Sequence, residues 1–119
     1  MIEIFHDFHF EAALRLPNLP ADHPCGRTHG HSFRARITLR GEPDPHFGWV
    51  RDFGDVQSAF EPLRQQLDHS LLNEVDGLQN PTSENLARWI LDRLRPTLPE
   101  LHSVTLQDTH ATGVKVVTE

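Results

Sequence analysis

Cys25-Gly-Arg-Thr-His29-Gly-His31 puts one thiol and two imidazoles within seven residues, directly ahead of an alternating run that reads as a β-strand. Successive strand residues face opposite sides, so His29 and His31 project together with Gly30 between them, a spacing that suits two ligands on one metal ion. A thiol of ordinary pKa, near ~8.5, is only slightly ionised at neutral pH, so Cys25 needs a base or a positive charge beside it to serve in catalysis. Asp68-His69 offers a base steadied by a carboxylate. Adjacent side chains diverge on regular structure, so that pair works only on an irregular turn or when contributed across a subunit boundary. The plainer readings are a histidine balancing the dipole at a helix C-terminus and a cysteine acting as a small hydrophobe.

These residues must be positioned by a small set of elements. From Ile2 to Leu16 the residues Ile4, Phe8, Phe10, Ala12 and Leu14 share one face at period two, which predicts a long strand, ended by Pro17, Asn18, Pro20, Asp22 and Pro24. A second strand is predicted from about Thr28 to Arg40, with His29, His31, Phe33, Ala35, Ile37 and Leu39 inward, pairing antiparallel with the first. Asp52 can cap a helix from Phe53, with an apolar stripe of Val56, Phe60, Leu63 and Leu67 and with Pro62 expected to kink or confine it. Thr82 or Ser83 caps a second helix before Pro96, with Trp89 in its core stripe. Strands over Leu101 to Thr109 and Thr112 to Thr118 complete a ββααββ order. Helices segregated from a mostly antiparallel sheet make the class α+β.

The 119 residues form a single domain spanning 1–119, large enough to bury roughly 65% of the unfolded surface. A net charge of -6 argues against nucleic acid or an anionic membrane as the main partner, because both require a basic patch. Ten of the eleven basic residues are arginine, and Arg15, Arg27, Arg34, Arg36 and Arg51 crowd the N-terminal half. The planar guanidinium fork suits a phosphorylated small molecule, although each arginine alone also reads as a solvated surface charge. One cysteine cannot make an intramolecular disulfide, and no secretory leader is evident, so a cytoplasmic setting is expected.

Four segments taken in order resemble the 6-pyruvoyl-tetrahydropterin synthase family: Phe8-His9-Phe10-Glu11-Ala12-Ala13-Leu14-Arg15-Leu16, Cys25-x-x-x-His29-Gly-His31, Leu67-Asp68-His69 and Asn80-Pro81-Thr82-Ser83-Glu84. Together with Gly48-Trp49-Val50-Arg51-Asp52-Phe53, they are most similar to the bacterial 6-carboxy-5,6,7,8-tetrahydropterin synthase branch of the queuosine pathway. The resemblance implies the tunnelling fold, or T-fold, with two helices on one face of the sheet. Protomers would join their sheets into a barrel, most simply a homo-hexamer of two stacked trimers with active sites at subunit interfaces. It implies a zinc-dependent lyase with Zn2+ on His29 and His31, and Cys25, Asp68 and His69 as the catalytic proton-transfer groups. Asp108 would pair with the N–H edge of a pterin, a role the family gives to the longer glutamate, with further contacts from Thr82, Ser83 and Glu84. Thr82 and Ser83 equally read as a helix cap. The implied reaction converts 7,8-dihydroneopterin triphosphate to 6-carboxytetrahydropterin, releasing triphosphate and acetaldehyde. The alternatives are a 6-pyruvoyl-tetrahydropterin synthase and a non-catalytic pterin-binding T-fold protein.

One position departs from that pattern: Leu14 stands where the family has a zinc-ligating histidine. A catalytic zinc normally takes three protein ligands plus water, so a site left with His29 and His31 should be weakened. His6 shares the face of Leu14 but lies roughly 26 Å away along an extended strand at ~3.3 Å per residue, and His9 points to the other face. His23 and His110 are candidates that the sequence leaves unplaced.

Overall fold

In a computed structural model of the chain, which describes residues 1–20 and 22–119, the long hairpin is formed by β1 (Ile2–Leu14) and β2 (His29–Gly41). The two strands pair antiparallel without a slip, from Ile2 opposite Gly41 to Leu14 opposite His29. Alternation decides this register: Phe10, Ala12, Leu14, Phe33, Ala35, Ile37 and Leu39 are buried, and a one-residue shift would turn them all to the opposite face. The helix α1 (Phe53–Leu67) follows, then β3 (Ser70–Leu71), α2 (Ser83–Leu94), β4 (Leu101–Gln107) and β5 (Gly113–Val117). The sheet order is β3-β1-β2-β4-β5. All neighbours are antiparallel except β3, which runs parallel to β1.

Both helices cover one face of this sheet, α1 over β1 and α2 over β4 and β5. Their stripes, Val56, Phe60, Leu63 and Leu67 from α1 and Leu86, Trp89, Ile90 and Leu94 from α2, merge with the inward strand residues into one core. Asp52 caps α1 by accepting from the Gly54 N–H at 2.9 Å, and Thr82 caps α2 by accepting from the Asn85 N–H at 3.1 Å. Trp89 belongs to the core as expected, with its indole N–H donating to the Asp76 carbonyl at 2.9 Å.

The α+β T-fold reading holds, and the structure refines it at four places. Two-residue β3 is too short to leave a periodic signal. β1 stops at Leu14, after which the Leu16 N–H donates to the Cys25 carbonyl at 2.9 Å and closes the following loop. β4 ends at Gln107 because the Thr109 hydroxyl accepts from the N–H groups of Ala111 and Thr112 and folds the chain into a turn. Helix α1 runs through Pro62, whose ring lies on the exposed side, where water can serve the carbonyl it leaves free. Among the described residues no helix is long and apolar enough to cross a membrane.

Candidate functional site

The hairpin register places the histidine pair. His31 is opposite Ala12 and His29 is opposite Leu14, with the two imidazole centroids 5.0 Å apart. His29 Nδ1 lies 2.7 Å from the Arg27 carbonyl, an acceptor only, so the proton sits on Nδ1 and the Nε2 lone pair is left for a ligand. A metal-binding histidine is commonly held this way by its other nitrogen. The side chain facing the pair is Leu14, 5% exposed and part of the core. Among the described residues no group of three or more His, Cys, Asp or Glu side chains is arranged to hold a metal ion. Two nitrogen donors beside a leucine do not meet the three-ligand requirement of a catalytic zinc. His23 does not complete the set, since its Nδ1 accepts from the Cys25 N–H at 3.1 Å, and His110 sits in the β4–β5 turn.

Asp68 and His69 occupy the irregular turn their adjacency requires. His69 has a φ of 58°, left-handed backbone uncommon for a non-glycine residue. Two contacts with Glu11 hold it there: the Glu11 N–H donates to Asp68 Oδ1 at 2.9 Å, and the His69 N–H donates to the Glu11 carbonyl. The hydrogen bond from Glu11 holds the Asp68 carboxyl below its usual pKa against the opposing effect of desolvation, with help from His69 and Arg64. Asp68 Oδ2 lies 3.1 Å from His69 Nδ1, which leaves Nε2 of a ring whose side chain is 79% exposed facing outward. His69 and His31 line the same depression, of about 540 Å³, together with Glu11, Ala12, Ala13 and Gly30.

Cys25 stands apart from that depression, in a 3-10 turn at Pro24–Gly26, half-buried. Among the described residues no hydrogen bond joins it to Asp68 or His69. Asp108 lies in the turn after β4, where Oδ1 accepts from the Thr112 hydroxyl at 2.6 Å and Oδ2 is 3.5 Å from the Ser83 hydroxyl. The first turn of α2 and the carboxylate are thus neighbours, with Thr82 engaged as the cap and Glu84 exposed beside it. Three clusters result: the histidine depression with Asp68-His69, the thiol loop, and Asp108 with the α2 N-terminus. Sequence reasoning missed Glu11 and Thr112. Glu11 acts through its backbone, which no side-chain pattern reports, whereas a threonine four residues beyond an aspartate in a Gly-terminated turn was a readable signal.

A family model for 6-pyruvoyl tetrahydropterin synthase matches residues 3–119. The chain belongs to that family. Within the 6-pyruvoyl tetrahydropterin synthase family, a 6-carboxy-5,6,7,8-tetrahydropterin synthase from Synechocystis is 39% identical over 112 residues, covering 89% of this chain and 85% of the relative. A dihydroneopterin monophosphate aldolase from Pyrococcus furiosus is 34% identical over 91 residues, covering 74% and 76%. The solved 6-pyruvoyl tetrahydropterin synthase of Caenorhabditis elegans superposes with a TM-score of 0.90 at 24% identity over 99% of this chain and 96% of that one, a likeness of fold.

Proposed function

We propose that this family member is a lyase acting on the C6 side chain of 7,8-dihydroneopterin triphosphate. The observation that carries the reading is the meeting of His31 and the Asp68-His69 pair in one depression, which sets an oriented base beside a metal-binding type of strand. Asp68, ionised and held by Glu11, orients the imidazole so that Nε2 exchanges a proton with the substrate side chain. Asp108 recognises the ring edge with both carboxylate oxygens, each able to accept a second hydrogen bond. Cys25, assigned the other proton, would reach the depression from a neighbouring subunit.

Two product outcomes follow from the same beginning. Loss of triphosphate with the carbon chain intact gives the 6-pyruvoyl product, as the family description suggests, and cleavage with release of acetaldehyde gives the 6-carboxy product, as in the name of the Synechocystis relative. Leu14 favours a third reading, pterin binding without turnover, because it denies a metal its third ligand.

The test is product analysis of the chain and of Leu14→His, each with and without added zinc, on 7,8-dihydroneopterin triphosphate. The Leu14→His variant is expected to lose about 2 kcal/mol of metal-free stability, since it removes a buried apolar side chain, and to gain zinc stoichiometry, turnover and zinc-dependent melting temperature. Pterin binding without any product, in both proteins and with zinc present, would leave the binding reading and remove the lyase. One tight zinc per subunit already present in the unaltered chain, unchanged by Leu14→His, would overturn the missing-ligand argument.

A further inference from the structure

The parallel contact between β3 and β1 pairs only Ser70 with Ala12 and Leu71 with Ala13. A side chain extends this short ladder at each end. Towards Glu11 it is Asp68, and beyond Leu14 it is Asn73. Asn73 lies in the 3-10 turn Leu72–Glu74, which the fully buried Leu72 fixes to the core.

Asn73 Oδ1 accepts from the Arg15 N–H at 3.0 Å, and Asn73 Nδ2 donates to the Arg15 carbonyl at 2.8 Å. The amide thus engages both backbone groups of one residue, as a neighbouring strand would, just past the point where β1 stops. Its remaining N–H reaches the Gln79 carbonyl at 3.4 Å. Asparagine is suited to this because it offers an acceptor oxygen and two N–H donors on a short stem, whereas an ionised aspartate has no donor. The Gln79 end has independent support, since Asn85 Nδ2 donates to the adjacent Asn80 carbonyl at 2.8 Å. The effect of losing Asn73 therefore falls on Arg15, whose side chain is exposed and which enters through its backbone alone.

What Arg15 fixes lies next to it. The Leu16 N–H donates to the Cys25 carbonyl at 2.9 Å, a bond outside the last ladder pair, Leu14 with His29. The described residues of the thiol loop are also tied to one another. The His23 N–H donates to the Pro20 carbonyl at 2.9 Å, the Gly26 N–H donates to the His23 carbonyl at 2.9 Å, and His23 Nδ1 accepts from the Cys25 N–H. A Cβ at Gly26 would meet the Pro20 carbonyl oxygen at 2.5 Å, so the backbone packs closely on itself there. A segment bound up in this way shifts as a unit, and its place against the sheet follows from its attachment at Leu16.

We propose that Asn73 is a positioning residue for Cys25: its amide fixes Arg15 and, through Leu16, the loop that presents the thiol. The consequence for proton transfer rests on the lyase reading above, while the positioning itself does not.

Cys25 is the only cysteine of the chain, so its reaction with dithiodipyridine reports the loop directly. The rate is measured on the full chain and on Asn73→Ala, at concentrations where light scattering gives both the same mass, over a range of urea below the unfolding transition. Asn73→Ala should react roughly three- to tenfold faster, the range of one net hydrogen bond, with the shallow urea dependence of a local opening. Asn73→Asp keeps the acceptor for the Arg15 N–H and should change in the same direction by a smaller factor, so it decides the matter if Asn73→Ala does not fold. An unchanged rate in the folded variant overturns the proposal. So does a faster rate that carries the full urea slope of global unfolding, because Asn73 would then contribute to overall stability alone. Where 7,8-dihydroneopterin triphosphate is turned over, kcat should fall in Asn73→Ala with KM changed less than about twofold, since Asp108 and the start of α2 keep their own contacts. Thiol rates as expected with no turnover in any protein support the positioning role and remove the lyase reading.

Discussion

At the residue scale, acidity acts on the site through Asp68, because its carboxylate is the titratable one of the two contacts that tie the left-handed turn of His69 to β1. The Glu11 hydrogen bond holds its folded pKa below the unfolded value near ~3.9. Its contribution is therefore present in full above that unfolded value and is lost as pH falls through the lower, folded one. Asp68→Asn keeps an acceptor for Glu11 but has no charge to titrate. The unaltered chain should be more stable than Asp68→Asn at neutral pH, and the gap should close as pH falls below the unfolded carboxylate value of about 3.9 and through the lower folded one, as read by urea unfolding. Parallel pH curves would show that the charge contributes nothing to holding the turn. Asp7 titrates in the same direction under the influence of Arg36, and because it is common to both proteins it cancels from the comparison.

Pro62 gives the prediction at the scale of the element. It stands in the third turn of α1 on the exposed side, where it removes an N–H from the helical ladder without disturbing Val56, Phe60, Leu63 or Leu67 beneath. Pro62→Ala should raise stability by about 1–3 kcal/mol, visible as a higher denaturant midpoint with an unchanged slope. A neutral or lower midpoint would mean the proline ring packs against something the isolated subunit lacks. The sequence overstated this residue's effect because it shows a helix breaker without showing that its freed carbonyl faces water. It did better with β1, β2, α1 and α2, where long apolar periodicity left little choice, and with Leu14, whose face followed from alternation alone. It was blind to β3, too short to be periodic. It also could not see the grip of Glu11 on Asp68, which links positions far apart in the chain through backbone groups that every residue possesses.

The whole molecule is elongated. Its extents are 57 × 24 × 24 Å and its radius of gyration is 15.4 Å, where a compact domain of this length would be nearer ~13.5 Å. Phe5, Phe47, Trp49 and Phe53 are each more than two-fifths exposed, and Cys25 does not line its own subunit's histidine depression, where the base His69 sits. Assembly with further copies would answer both facts. Light scattering should give an oligomer, a hexamer if the barrel is built from two trimers, and the melting temperature should rise with protein concentration because the partners bind only the folded chain. A monomer at micromolar concentration with a concentration-independent melting temperature would remove the shared-site model.

The unbroken ladder between β1 and β2 also says something about the order of events during folding. Leu14 and His29 are the pair of that ladder nearest in sequence, and Ile2 and Gly41 the farthest. Closing a loop costs about 0.6 kcal/mol more for each doubling of its length, so zipping is cheapest when it starts at the Leu14–His29 end and runs outward. The two imidazoles would then acquire their spacing among the earliest native contacts, before α1 and α2 come down on the sheet. Pulsed hydrogen exchange would see the amides around His31 protected ahead of those near Arg40, and a loop lengthened between Leu16 and Cys25 would slow folding more than the same insertion between Glu42 and Gly48.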